Sequence, residues 1–231
     1  MPKATFDKIR ADKRERLLRE AAQLFAERGF AGTDIAELAT RAGVSKGSIY
    51  TYFESKDDLY LYVCRDGIAR SRQAVYGGLD SSWNVYQQIE HIFRAGVRFV
   101  RAHPEYVILY VNVASPGMAR FAEELSLEVE TFTAEHLTRS IRAGVERGDV
   151  RPDLDVEVAA FSINSIYITL LESLVSPHFR IRLRQYLGLD ALPDAESIGD
   201  NLDRIIDHVQ GCLRLPSAAE SPAPTAAAHP G

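Results

Sequence analysis

The 231-residue chain is 46% hydrophobic, enough apolar material for a full core without disulfide or metal staples. Its two cysteines, Cys64 and Cys212, are too few and too far apart for a disulfide framework, and no apolar run reaches the ~18 residues that span a bilayer. The formal charge of −5 weighs against nucleic acid as a partner for the chain as a whole, but not for each of its parts.

The charge is unevenly spread. Residues 1–19 carry seven basic and three acidic side chains, and all five lysines (Lys3, Lys8, Lys13, Lys46 and Lys56) lie in the first 56 residues. Residues 61–231 carry sixteen basic and twenty-two acidic side chains. A basic head on an acidic body suits a protein that turns one end toward phosphates, although a solvated charged helix has the same composition. The opening stretch MPKATFDKIRADKRERLL has no apolar segment of a secretory signal. The expectation is a cytoplasmic protein with no membrane partner.

The spacing of Leu17, Ala21, Leu24 and Phe25 predicts an amphipathic helix over 12–30, with Gly29 as its stop. Thr33 is expected to cap a short helix, with Asp34 in its first turn and Ile35, Leu38 and Ala39 facing inward. Arg41-Ala42-Gly43-Val44 reads as a turn in which Gly43 supplies backbone freedom. Ser45 caps a further helix to about Tyr52, and Ser55-Lys56-Asp57-Asp58 opens a longer one toward Gly77-Gly78. Beyond that glycine pair no strand pattern appears. Helices are expected near 82–102, 104–115, 117–147, 153–176, 177–187 and 195–214, separated by prolines and glycines. Residues 216–231, rich in Pro, Ala and Ser, read as a disordered tail. The expected fold is all-α: a three-helix DNA-binding domain over 1–54 with a basic N-terminal arm, a connecting helix over 55–78, and a larger helical domain over 79–215.

Residues 33–53 carry the functional signal. Ala39, Gly43 and Ile49 stand at positions 0, +4 and +10, the small–glycine–apolar pattern that lets two short helices cross as a helix-turn-helix, whose second helix enters the major groove. That second helix then faces Lys46, Gly47, Ser48, Tyr50 and Thr51 outward, with Ser45 at its start. Lys46 can reach a guanine edge or phosphate, Ser48 and Thr51 can hydrogen-bond bases or phosphates, and Gly47 permits close approach. Thr33 and Lys56, at the starts of flanking helices, add donors beside helix N-termini.

The segments RLLREAAQLFAERGF and GTDIAELATRAGVSKGSIYTYFESKDDLY, from about Arg16 to Tyr62, resemble the TetR family of bacterial transcriptional regulators. The resemblance implies phosphate contacts from Thr33, Tyr50, Tyr52 and Lys56, a base-reading surface of Lys46, Gly47, Ser48 and Thr51, and an aromatic at Phe53 that packs the recognition helix. For Tyr52 the inward spacing and the phosphate role conflict, unless the ring is buried and the hydroxyl exposed. The resemblance further implies that residues 80–214 form an effector-binding and dimerising bundle, and that a homodimer on near-palindromic operator DNA is released by a small molecule.

Several helices of that bundle are apolar on more than one face, which fits an interior cavity. Its candidate lining is Phe93, Phe99, Tyr106, Tyr110, Asn112, Met118, Phe121, Asn164, Tyr167 and Glu172, and its apolar excess points to a mostly hydrophobic effector. Asn112 and Asn164 sit in apolar stretches and each needs a polar partner. Ile205, Ile206, Val209 and Leu213 form a stripe that fits packing either within a subunit or between subunits. An enzyme is disfavoured: the six histidines are scattered without metal-ligand spacing, and no GxSxG, phosphate loop or GxGxxG is present. No cofactor, metal or catalytic residue is expected. A constitutive DNA-binding dimer and a thiol sensor at Cys64 or Cys212 are the remaining alternatives.

Overall fold

Eleven α-helices and no strand form among residues 2–215, the residues that the computed structural model describes. The tail expectation for 216–231 lies outside them. In chain order the helices are α1 (Ala4–Asp7), α2 (Ala11–Gly32), α3 (Ile35–Ala42), α4 (Lys46–Tyr52), α5 (Lys56–Tyr76), α6 (Val85–Ala102), α7 (Pro104–Val113), α8 (Ala119–Arg147), α9 (Val156–Val175), α10 (Pro177–Leu187) and α11 (Gly199–Gly211). The all-α expectation and the order of helices stand, and most helix ends fall within a few residues of the places that the prolines and glycines mark. Exceptions are Pro116–Met118, a separate 3-10 turn before α8, and α11, which begins at 199 because Asp194 and Ser197 tie up the preceding loop.

One helix cap needs correction. Asp34, not Thr33, caps α3, accepting the Ala36 N–H at 2.7 Å. Thr33 is only 4% exposed. Its hydroxyl donates to the Gly29 carbonyl at 2.8 Å and the Leu24 carbonyl at 3.4 Å, beside the break in α2 at Gly29. The turn between α3 and α4 is as read. Gly43 sits at φ +70°, ψ +36°, and its N–H bonds back to the Thr40 carbonyl while Val44 bonds to Ala39. Arg16 from α2 reaches across to the Arg41 carbonyl at 2.9 Å, and Arg41 in turn grips Glu27 and Glu37.

The helix α1 has no counterpart in the sequence reading, which treats residues 1–11 as a charged arm. Its single apolar ring, Phe6, is fully buried and drives the segment onto the end of α4.

The expectation that no stretch is apolar enough to span a bilayer also needs revision. The 20-residue α9 has a mean hydropathy of 1.6 and passes by length and composition. Here its Ala160, Ile163, Tyr167, Leu170, Leu171 and Leu174 are buried against α6, α7, α8 and α10, so its inner face is core. Its outer face is not: Val158 and Phe161 are exposed, Phe161 by 75%, as are Ile181 and Tyr186 on α10. The stripe of Ile205, Ile206 and Val209 on α11, with Leu213 just beyond its end, in contrast packs within the chain, α11 lying against α6, with Ile206, Val209 and Leu213 buried and Ile205 half-buried.

The helix-turn-helix end of the chain rests on the helices behind it through α2, which packs on α5 and α7. Phe30 and Tyr60 meet Phe121 of α8 at ring separations of 5.3 and 5.1 Å, and Arg120 covers Phe30 and Phe121.

An L-residue at Gly43 must adopt left-handed backbone, at a cost of about 1–2 kcal/mol. Gly43→Ala is therefore expected to lower the thermal midpoint while leaving a cooperative transition; an unchanged midpoint rules out backbone strain as the reason for glycine in this turn.

Candidate functional site

Ser45 starts α4 as a full cap. Its Oγ accepts the Ser48 N–H at 3.0 Å and shares a hydrogen with Ser48 Oγ at 2.8 Å. Lys46 follows, exposed and with no carboxylate partner. A Cβ at Gly47 would meet nothing closer than Ser45 Oγ at 3.8 Å, so packing within the protein does not demand glycine there. Tyr50 is 43% exposed and its hydroxyl is unengaged. Thr51 is exposed, its hydroxyl donating to the Gly47 carbonyl at 3.0 Å with lone pairs left for an incoming donor. Lys46, Tyr50 and Thr51, with the bare backbone at Gly47, form one open, cationic and hydroxyl-bearing face.

Three of the sequence candidates turn inward. Thr33 is buried and bonded as described. The Tyr52 ring is buried against Phe6 at 5.7 Å, in line with its inward spacing. Lys56 lies over the Phe30 ring, its ammonium donating to the Thr33 carbonyl at 2.6 Å and the Ala31 carbonyl at 3.3 Å. Burial lowers its pKa below the usual lysine value. These contacts staple the end of α2 to the start of α5. Phe53 is fully buried between Phe6 and Tyr62, at 4.9 and 5.7 Å.

Behind the helix-turn-helix, α5, α6, α7, α8 and α9 surround a cavity of about 130 Å³ with mostly apolar walls. Six of the ten expected residues line it: Phe99, Tyr106, Tyr110, Asn164, Tyr167 and Glu172. Phe93 borders a smaller neighbouring void beside Tyr167. Asn112, Met118 and Phe121 do not line the cavity. Phe121 is taken up at the junction with the first domain, Met118 is buried core, and Asn112 is half-buried near the end of α7.

Asn164 finds the partner its apolar setting demands. Glu130 of α8 accepts from Asn164 Nδ2 at 3.2 Å and from the Tyr110 hydroxyl at 2.7 Å. Burial raises the Tyr110 and Glu172 pKa values above their ordinary ranges. Arg72 also lines the cavity, its guanidinium stacked over Phe132 at 4.3 Å and bonded to the Glu128 carbonyl. Glu130, Arg72, Tyr76 and Phe132 carry no apolar-face signal in the sequence, because they lie on helix faces that read as solvated. Cys64 also borders the cavity, and burial pushes its thiol up to about 12, leaving it protonated at neutral pH.

A row of short hydrogen bonds leads from the cavity to the first domain. Tyr106 in the cavity wall donates to Asp66 of α5 at 2.8 Å; Arg70 donates to Asp66 at 2.7 Å and to Glu15 of α2 at 2.6 Å. The close approach needs Gly67, since a Cβ there would lie 2.4 Å from the Tyr106 ring.

The family profile of bacterial regulatory proteins of the tetR family matches residues 17–63, which hold the helix-turn-helix. The chain is 30% identical over 154 residues to the HTH-type transcriptional repressor KstR2 of Mycobacterium tuberculosis, covering 63% of this chain and 73% of that protein. A TetR family transcriptional regulator from Chloroflexus aurantiacus superposes with a TM-score of 0.67 at 24% identity, covering 94% of this chain and all of that one. The regulator AibR, solved with isovaleryl coenzyme A and operator DNA, superposes with a TM-score of 0.61 at 20% identity over 88% and 98% of the two chains. With a DNA-binding segment of this pattern at its head and a helical bundle of this layout behind it, the chain belongs to the TetR family of helix-turn-helix transcriptional regulators.

Proposed function

We propose that this protein is a cytoplasmic repressor that binds a near-palindromic operator as a homodimer and is released when a mostly hydrophobic small molecule fills the cavity. The observation that carries the reading is the pairing, on one chain, of an open cationic face on α4 with an apolar chamber whose wall includes α5, the helix shared by both domains. In this reading residues 1–54 bind DNA, 55–78 connect, and 79–215 bind effector and dimerise. AibR binds a small molecule and DNA on the same fold, which supports a similar division of labour here. The alternative of a constitutive binder leaves the cavity without a use.

On DNA, Lys46, Gly47 and Thr51 read base edges, with Ser48 beside them, and Tyr50 donates to a phosphate. Ser45 fixes the start of the helix; Thr33, Tyr52 and Lys56 hold its surroundings in place, with their backbone and cationic groups near the phosphates. A second copy covers the exposed Val158 and Phe161 on α9 together with Ile181 and Tyr186 on α10, because an apolar face of this kind is the mark of a partner surface. The effector has an apolar or aromatic body that fits the tyrosine and phenylalanine walls, and a hydrogen-bond donor that meets Glu130 or Glu172. Its arrival moves Tyr106, loosens the Asp66–Arg70–Glu15 chain and shifts the first domain.

Three experiments test this reading. In fluorescence anisotropy on an operator selected from random duplexes, Tyr50→Phe is expected to weaken binding to all sequences alike. Lys46→Ala is expected to lose about 1–3 kcal/mol and to relax preference at the position it reads; variants indistinguishable from wild type on every duplex remove these residues from the interface. Sedimentation of Phe161→Glu is expected to give monomers that bind the operator weakly, and a persistent dimer moves the interface elsewhere. A thermal-shift screen of lipophilic compounds identifies ligands by a raised midpoint. With such a ligand, Tyr106→Phe is expected to retain ligand and operator binding but to lose about fivefold or more of the coupling between them. Undiminished coupling rejects the hydrogen-bonded route.

A further inference from the structure

The end of the recognition helix is held by a part of the chain outside the matched family segment. With seven residues, α4 is far below the length at which a helix persists on its own. Its last four carbonyls, those of Ile49, Tyr50, Thr51 and Tyr52, have no partners from within the helix proper. Phe53 N–H serves Ile49 at 2.9 Å. The other three are served from residues 3–5: Lys3 N–H donates to Tyr52 at 2.8 Å, Lys3 Nζ to Tyr50 at 3.1 Å, and the Thr5 hydroxyl to Thr51 at 2.7 Å. The Lys3 ammonium thereby sits at the negative end of the helix dipole. Phe6 anchors the segment, fully buried among Phe53, Tyr62 and Tyr52 at 4.9, 5.4 and 5.7 Å, which ties it to α4 and α5 at once.

We propose that residues 2–10 are a strap that positions the last turn of the recognition helix for base reading, with Lys3 and Thr5 as positioning residues and Phe6 as their anchor. Tyr50 and Thr51 ride on the turn whose carbonyls the strap holds. Lys46 rides on the first turn, which Ser45 caps independently. Without the strap the last turn frays, and the contacts made from it lose their fixed geometry while Lys46 keeps its own. Because Lys3 and Thr5 are exposed and bond only carbonyls, they can be altered without opening the core.

The test compares operator and scrambled duplexes, in fluorescence anisotropy, for Thr5→Val, Thr5→Ser, Lys3→Met, the Thr5→Val/Lys3→Met pair, and a chain lacking residues 2–10. Thr5→Val is expected to bind the operator about fivefold more weakly, the effect of losing one helix-end tie, and to lose less on scrambled DNA, where of the last-turn contacts only the Tyr50 phosphate contact operates. Thr5→Ser restores the hydroxyl and is expected to match wild type. The pair and the truncated chain are expected to lose about tenfold or more in the ratio of specific to scrambled binding. Binding to lipophilic ligands of the second domain stays unaltered. An unchanged ratio in the pair overturns the proposal. So does a loss for Lys3→Met that is equal on both duplexes and accompanied by a salt slope smaller by about one, since that marks a plain phosphate contact. If the truncated chain no longer melts cooperatively, the point variants decide.

Discussion

Everything at the DNA end follows from one constraint: a two-turn helix must stand rigid while one whole face of it stays free. The face that would ordinarily be stabilised by packing carries Lys46, Gly47, Tyr50 and Thr51, so order must come from the ends and the back. Ser45 closes the N-terminal end, the residue 3–5 segment closes the C-terminal end, and Ile49 and Tyr52 fasten the back. The Gly43 turn fixes the crossing with α3, and Arg16 holds that turn from α2. Each contact is modest, about 1 kcal/mol for a cap or a hydrogen bond. Their number is what substitutes for the missing fourth side of a core.

A second constraint is that α5 serves two domains. Its first turn, through Lys56, closes the end of α2, while its middle, at Cys64, Gly67 and Ser71, forms a wall of the cavity. A rigid rod shared in this way transmits displacement at either end, and the Asp66–Arg70–Glu15 bonds give it a lateral grip on α2. Tyr106 completes the grip from the ligand side at the one position where glycine lets its ring lie against the rod. The coupling proposed above thus rests on a continuous row of packed and hydrogen-bonded groups between cavity and α2.

Much of this was legible in the amino-acid sequence. Helix periodicity and proline positions located nearly every helix, and the Ala39–Gly43–Ile49 spacing located the helix-turn-helix. What escaped was tertiary in origin. Thr33 looked like a cap because caps and buried hydroxyls use the same residue types; only the break at Gly29 decides that its hydroxyl turns to α2. Lys56 looked free because a lysine's partners, here backbone carbonyls on another helix, leave no mark in its own neighbourhood. Phe6 is a lone aromatic in a charged stretch, and its burial shows only once α1 folds onto the end of α4. In the cavity, the tyrosines and Asn164 stood out against apolar surroundings, whereas Glu130 and Arg72 sat among the many charges of long amphipathic helices. Phe121 and Met118 were apolar in the right domain, but proximity to the chamber depends on which face of α8 turns inward at its start.

The acidic total charge finds its explanation in how the charges are paired rather than in how many there are. In the second domain Arg94, Arg101, Arg142, Arg147, Arg151 and Arg214 each meet a carboxylate. Such exposed pairs add little to stability, about 0–1 kcal/mol each. Their larger effect is on the field: every pair cancels a positive charge at short range, and the carboxylates in excess repel phosphates from the body. On α4 the only basic side chain, Lys46, has no such partner. Withholding a single carboxylate there shapes the potential more than adding basic residues elsewhere would, because at physiological ionic strength the Debye length of about 8 Å limits each charge to its own neighbourhood. In the proposed reading, the unpaired Lys46 and the hydroxyls of Tyr50 and Thr51 beside it present a duplex with a face free of counter-charge.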